Sequence, residues 1–475
     1  MTIIGFIILV LVSSLFLYSL YDVNNKKLVQ LCFFFIPFSG LSVFNNYELS
    51  FYLLPFTLCA VLWIILQIVS PFISKNNISL NTNNPYIVFS LIFFACVSLS
   101  SLAPIFIDGS DFYYGANEDS ARAFPIQPST IYVLQLIYVF IGVFFSIFLV
   151  GALKTLLDIE LLIKTLIVGS FVACLIGLME VISFYVGYDL WTGFYHTVPT
   201  GSGDINEKGI RLDGLLNIAR INSVSYETSN FAQHILIIYA FMFYCIRREV
   251  TIFSQFYDKY IFLILLISLL LALSTTAFVG IVIIHFLYWI FTKPSLIQLF
   301  KSIAVITFIF LILYFMYKNL EYISVIIDVF VLDKLSSGSA ESRFNAAFNA
   351  FEIFLRHPLI GVGFGVLPPS DLLITILAGT GVLGFISFSI MVIIIFYNAL
   401  FAQLPIPSSD NINKSKLKNI VRVSSLLNAL IFSYLNLLII YQSIGFTFRF
   451  GDFWAISGII VATYILKEKM IREIS

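Results

Sequence analysis

The sequence predicts an all-α polytopic membrane protein, and three observations carry that expectation. Sixty per cent of the 475 residues are hydrophobic and 11% are charged, against an apolar share of about 45–50% in soluble domains. Uncharged apolar stretches recur along the chain, many of them long enough to cross about 30 Å of hydrocarbon. Lysines and arginines, finally, are shared unevenly between alternate loops.

Taken in order, the first apolar run covers residues 2–20. It lacks the basic n-region and small-residue cleavage site of a secretory signal, so it is expected to be a first span. Further spans are expected at 28–44, 49–73, 85–107, 130–153, 161–187, 230–246, 260–273, 277–291, 302–317, 372–399, 420–441 and 454–466. The stretch 260–291 is broken at Ser274-Thr275-Thr276 and reads as two short helices or one long tilted one, so the expected count is about 13, within 12–14. Cysteines 32, 59, 96, 174 and 245 lie within or at the ends of apolar runs without metal-ligand spacing, so neither a disulfide nor a zinc site is expected.

Placing Lys26 and Lys27 on the cytoplasmic side and alternating leaves seventeen of the 26 cations inside and nine outside. The C-terminus is then cytoplasmic. The nine are Arg122, Lys208, Arg211, Arg220, Lys318, Lys334, Arg343, Arg356 and Arg449, six of them arginine, whereas lysine dominates inside. Lysine sets topology; an arginine-rich outer face suits planar, bidentate recognition of phosphate or carboxylate. Net charge is zero and no basic–aromatic patch occurs, so nucleic acid is not an expected partner.

Two loops are long enough to build a site, 188–230 and 318–371, and both fall outside. In the second, Phe344, Phe348, Phe351 and Leu355 make an apolar stripe and Asn345, Asn349, Glu352 and Arg356 a polar one, which predicts an amphipathic helix over 340–356 lying along the membrane surface. Ser339 suits its N-cap, and Pro358 stops it. Arg343 stands about 100° from the stripe. Its own face is Ala347, Ala350 and Phe354, where the small alanines are expected to leave room for a ligand.

Arg356-His-Pro-Leu-Ile-Gly-Val-Gly-Phe-Gly365, then Gly379-Thr-Gly-Val-Leu-Gly384 in an apolar helix, resemble the C-terminal signature of the bacterial O-antigen polymerase and ligase superfamily. Arg220-Ile-Asn-Ser-Val-Ser-Tyr-Glu-Thr-Ser-Asn230 and the Leu271–Thr276 break are similar to the polymerase pattern, so the resemblance covers roughly residues 210–400. It implies a metal-independent membrane glycosyltransferase of GT-C-like architecture in the bacterial inner membrane. No cofactor is implied; the substrates would be undecaprenyl-pyrophosphate-linked oligosaccharides, with a chain-length regulator and a flippase as partners. Ligases of this superfamily carry a His shortly after the glycine loop. Here that place reads Pro368-Pro-Ser-Asp-Leu-Leu373, which favours a polymerase of O-antigen or a related surface polysaccharide, with ligase as the alternative. The repeated pattern of an Arg, ten residues and a Gly found in some members is not met from any outer Arg.

The chemistry asked of such an enzyme is loss of a pyrophosphate anion. Without an Asp-rich cluster suited to Mg²⁺, the charge would fall to arginine forks, worth about 3 kcal/mol per well-aimed donor. Arg343 and Arg220 are the first candidates, then Arg211, Arg356 and Arg122. Arg343 and Arg356 lie about 140° apart on one helix, so they reach one phosphate only if the end at Arg356 unwinds. Arginine cannot accept the acceptor hydroxyl's proton. The candidate bases are Glu227, Asp371, His357, Asp213, Glu341 and His196, with Glu227 first because partial desolvation at a helix mouth would raise its pKa; it reads equally as a helix-entry carboxylate. His234 and His285 are expected to be core or lipid-interface residues. A secondary transporter is the reading from a different class, disfavoured because Glu180 is the one acidic residue well inside an expected span.

Overall fold

The protein is described by a computed structural model covering residues 3–21, 26–40, 42–44, 47–50, 53–69, 84–107, 112–114, 123–126, 128, 130–186, 209–212, 216–225, 228–292, 318–319, 338–365, 371–401, 414–444 and 451–473. Its helices are α1 (Ile3–Tyr21), α2 (Lys27–Phe35), α3 (Leu53–Val69), α4 (Pro85–Ser100), α5 (Thr130–Ala152) and α6 (Leu156–Val186) in the first half. Then come α7 (Thr228–Arg247), α8 (Gln255–Leu271), α9 (Thr275–Thr292), α10 (Gly338–Arg356), α11 (Leu372–Phe401), α12 (Lys414–Ile444) and α13 (Asp452–Arg472). Six of the described helices are long and apolar enough to cross a membrane, and Ile7–Ser19 and Thr275–Phe291 are shorter apolar helices. A polytopic membrane protein follows from that. The expected span at 302–317 lies outside the described residues.

Local chemistry explains where the helices begin and end. Asn84 accepts the Tyr86 N–H at 2.9 Å ahead of Pro85, the N-terminal proline position that loses no helical bond. Thr155 and Asp158 form a reciprocal capping pair, Asp158 Oδ2 accepting from Thr155 N at 3.0 Å and Thr155 Oγ1 from Asp158 N at 3.2 Å. The stretch expected as two short helices or one is two: Leu273 takes φ 44° between α8 and α9. The span expected at 28–44 is shortened. Its helix ends at Phe35, just before Pro37 and Gly40, and the chain turns there and enters a strand at Ser42.

Short strands accompany the helices at three places. β1 (Ser42–Phe44) pairs antiparallel with β2 (Tyr47–Ser50), β3 (Phe112–Tyr114) with β4 (Ala123–Pro125), and β5 (Gly209–Leu212) with β6 (Leu216–Ala219). Each hairpin lies at a loop that sequence alternation puts outside. Hydropathy is blind to such short strands, since they fall between apolar runs rather than within them.

The opposite ends carry charge. Lys26 pairs with Asp158, and Arg422 Nε with Glu160 at 2.7 Å, tying the starts of α2, α6 and α12 together. Between the two ends the helices approach closely where glycine permits. A Cβ at Gly142 would stand 2.1 Å from the Trp454 ring, and one at Gly169 would stand 2.2 Å from the Phe34 carbonyl oxygen. The first locks α5 to α13 and the second α2 to α6.

Candidate functional site

The glycine loop is built into the middle of α11. Gly361, Gly363 and Gly365 all have positive φ, at 69°, 104° and 87°, and so does Gly381 within the helix, at 66° with ψ −171°. An intact helix would bond Val382 N–H to Ala378 and Leu383 N–H to Gly379. Instead Val382 donates to Pro358 O at 2.8 Å and Leu383 to Leu359 O at 3.5 Å, while Val362 and Gly363 donate to the freed carbonyls of Ala378 and Gly379 at 3.1 and 3.0 Å. The broken helix and the loop exchange their bonds. Gly381 lies nine residues into α11, about 13 Å along its axis, so the loop re-enters the helical body, where irregular backbone is tolerated because protein satisfies it. Its Val362 and Gly363 N–H groups are therefore committed to α11 and are not open to a phosphate.

α10 packs against this re-entrant loop. Ala350 and Ile353 are buried with Val362, Ala378 and Ile126, and the helix also meets α11 and β3. The expected apolar stripe points the other way: Phe344 is 71% exposed, Phe348 57% and Leu355 62%. It faces away from the protein, on the side where the sequence places lipid. Room for a ligand beside Ala350 is corrected by the same contact, since loop and helix fill that space. Arg343 shares the face of Ala350 to within about 20° of helix turn, two turns nearer the start of the helix; its side chain lies outside the described atoms. α10 stays helical through Arg356, which is exposed, so the two arginines occupy helix positions about 140° apart. His357 continues the helix, its N–H donating to Ile353 O at 3.0 Å.

A second construction surrounds Arg220, which precedes α7. Its Nη2 donates to Thr228 Oγ1 at 2.9 Å and to Leu273 O at 3.2 Å, so it bridges the mouth of α7 and the break between α8 and α9. Glu180, buried in α6, holds the next residues: Oε2 accepts from Asn222 N at 3.0 Å and Ser223 N at 2.7 Å, with Ser223 at φ 51°. Gly40 N donates to Val224 O at 2.9 Å and Ser225 Oγ to Pro37 O at 3.2 Å, fastening the turn after α2 alongside. Arg220 is thus positioned by an acid inside the bundle, which sequence reading noticed only as an isolated charge.

His234 is a core residue, as expected, but not an apolar one. Its Nδ1 bonds Asp452 Oδ2 and its Nε2 lies 3.2 Å from Ser39 Oγ. Tyr441 OH donates to the same Asp452 oxygen at 3.3 Å. One residue on, Gln442 Nε2 donates to Asp371 Oδ1 at 3.1 Å, and Asp371 Oδ1 also accepts the Ile374 N–H at 2.7 Å. Asp371 is thereby the cap of α11. Asp452 escaped sequence reading because it stands two residues before the last expected span; the Gly451-Asp452 step before that apolar run was the available signal. His285 bonds Ile281 O of its own helix at 2.8 Å and stacks near Phe243.

The other candidates are less defined. Arg211 lies in β5, opposite Asn217, and Glu341 in the first turns of α10, both with side chains outside the description. Glu227, Arg122, Asp213 and His196 lie outside the described residues. Among the described residues no group of three or more His, Cys, Asp or Glu could hold a metal ion. The Cys32 and Cys59 sulfurs approach to 3.5 Å as free thiols.

Residues 260–389, from α8 through the glycine loop to the far side of the break in α11, match the family model described as O-antigen ligase. Over that segment the chain is similar to the O-antigen ligase and polymerase superfamily. Its members are membrane glycosyltransferase-like enzymes, ligases and polymerases. No curated protein matches the chain.

Proposed function

We propose that this protein polymerises undecaprenyl-pyrophosphate-linked oligosaccharide repeat units into O-antigen or a related surface polysaccharide at the periplasmic face of the inner membrane. About 13 spans in a GT-C-like arrangement, with the hairpins and α10 outside and the C-terminus cytoplasmic, complete the proposal. The observation that carries polymerase over ligase is the head of α11. Where a ligase would carry its His, this chain has Asp371, committed to the Ile374 N–H and to Gln442. The glycan of a deletion strain decides it: a single repeat unit remaining on the lipid A core marks a polymerase, whereas free lipid-linked polymer marks a ligase.

Orientation is tested by cysteine labelling in intact cells. Cysteines placed at Gly203 and Ser337 should react with an impermeant reagent, and one at Ser475 should not. The reverse pattern would invert the topology and remove the outer arginines from the site.

The transfer is expected to need no divalent metal, because the outer carboxylates are scattered without ligand spacing. Polymerisation by purified enzyme should persist in EDTA. Loss in EDTA with recovery in Mg²⁺ or Mn²⁺ would overturn this; purified enzyme is required because chelation also perturbs lipopolysaccharide in whole membranes.

A further inference from the structure

Ser39, His234, Asp452 and Tyr441 come from four separate stretches: the turn after α2, then α7, α13 and α12. All four are buried, His234 at 2% and Asp452 at 3% exposure. Apolar side chains of similar volume would pack there without the penalty of withdrawing ionisable groups from water. Ionisable groups at such depth are a functional signature by default. Their order is also specific. In the tautomer whose Nδ1–H donates to Asp452, Nε2 is the acceptor and faces the Ser39 hydroxyl.

Position agrees with that order. His234 lies six residues into α7, about 9 Å below the mouth at Thr228 where Arg220 is anchored. Ser39 sits in the turn fastened to the Arg220 segment through Gly40–Val224 and Ser225–Pro37. Glu227 follows two residues after Ser225. The segment that carries the candidate phosphate-binding arginine therefore lies alongside the turn that carries Ser39, so engaging one bears on access to the other.

We propose that Ser39, His234 and Asp452 form the proton acceptor of the glycosyl transfer, an inference that rests on the transferase reading above. The acceptor sugar's hydroxyl oxygen forms the new bond to the donor's anomeric carbon. The bond from that carbon to the pyrophosphate oxygen breaks, and the lipid pyrophosphate leaves with the electron pair. The hydroxyl proton passes to Ser39 Oγ as the Ser39 proton passes to His234 Nε2. Asp452 stabilises the imidazolium, and Tyr441 fixes the Asp452 carboxylate. His234 then releases its proton to the departing phosphate or to water, and the relay is restored.

The test uses full-length protein in proteoliposomes with lipid-linked repeat units, scored for chain length and for turnover against pH. The wild-type arm judges the transferase reading by itself: if no sugar is transferred, to growing chain or to lipid A core, that reading fails before any variant is compared. Given transfer, His234→Gln and Ser39→Ala should lower turnover by roughly 10²–10⁴-fold, Asp452→Asn should fall in the same range, and KM for the donor should change little. The dependence of turnover on pH should change in His234→Gln, which has no imidazole to exchange a proton with Ser39. The titratable groups bonded in this network besides His234 are Asp452 on α13 and Tyr441 on α12. Ser39→Ala removes one oxygen and guards against a folding artefact. Turnover within twofold of wild type in Ser39→Ala, or an unchanged pH profile in His234→Gln, would make the network structural and overturn the proposal.

Discussion

Gly381→Ala is expected to destabilise the protein by about 3–5 kcal/mol, a large share of the roughly 5–15 kcal/mol that holds a folded protein together. Two costs add. At φ 66° and ψ −171° an L-residue enters a region almost confined to glycine, at about 1–3 kcal/mol. The new Cβ would also stand 2.3 Å from Leu359 O and 2.4 Å from its carbonyl carbon. Those are backbone atoms, so no rotamer relieves the clash. Separating them sacrifices the Val382–Pro358 and Leu383–Leu359 bonds, at about 1 kcal/mol each and more if a group is left unpaired in the membrane. Gly363→Ala should cost less, because its Cβ meets the movable Tyr132 ring at 2.4 Å, although φ 104° remains unfavourable. Gly379→Ala is the control: its Cβ meets nothing nearer than 3.2 Å and its φ is not positive. Thermal unfolding in detergent and accumulation in membranes should rank the variants 381, 363, 379 from worst to mildest. Equal stability for Gly381→Ala and Gly379→Ala would mean that loop and helix do not exchange bonds as described.

That loop shows what hydropathy can and cannot convey. Leu372 to Leu400 reads as one apolar segment because it carries no charged residue, and the break at Gly381 leaves no trace in the average. Only the exchange of backbone bonds between residues 358–363 and 378–383 marks it, and that exchange is a tertiary fact. The start of α4 was legible, since Pro85 acts within one turn, whereas the Thr155–Asp158 pair opens α6 at Leu156, ahead of the span expected from residue 161. α2 was misjudged because Ile36 to Phe44 is apolar enough to extend a span, while Pro37 and Gly40 were too few to outweigh that pattern. The polar network was hidden for another reason. Ser39, His234 and Asp452 are separated by 195 and 218 residues from their partners, and each taken alone is an ordinary residue near the end of an apolar run. Arg220 was legible as a candidate, but its bonds to Thr228 and Leu273 O give it a bridging role that a phosphate would have to share.

Arg343→Lys is expected to lose nearly as much activity as Arg343→Ala, about 10²-fold, while both variants insert and accumulate normally. The placement of α10 sharpens the reason. Its apolar stripe turns outward, so lipid is on that side, and Ala350 and Ile353 anchor the opposite face on the re-entrant loop. Arg343 belongs to the anchored face but lies two turns before the anchor, toward the start of the helix. If α10 lies along the membrane surface as expected from the sequence, a cation at that position would be within reach of a lipid-linked pyrophosphate. If its task is to hold that leaving group, the planar fork matters and not only the charge, because two parallel N–H donors match two phosphate oxygens while an ammonium offers a single point. A well-aimed donor of this kind is worth about 3 kcal/mol in the transition state, which converts to the loss given. An anchoring cation at the headgroup level would work equally well as lysine. Chain-length analysis of complemented deletion strains separates the two: short glycans from both variants support pyrophosphate recognition, and near-normal chains from Arg343→Lys reduce this residue to a membrane-facing charge.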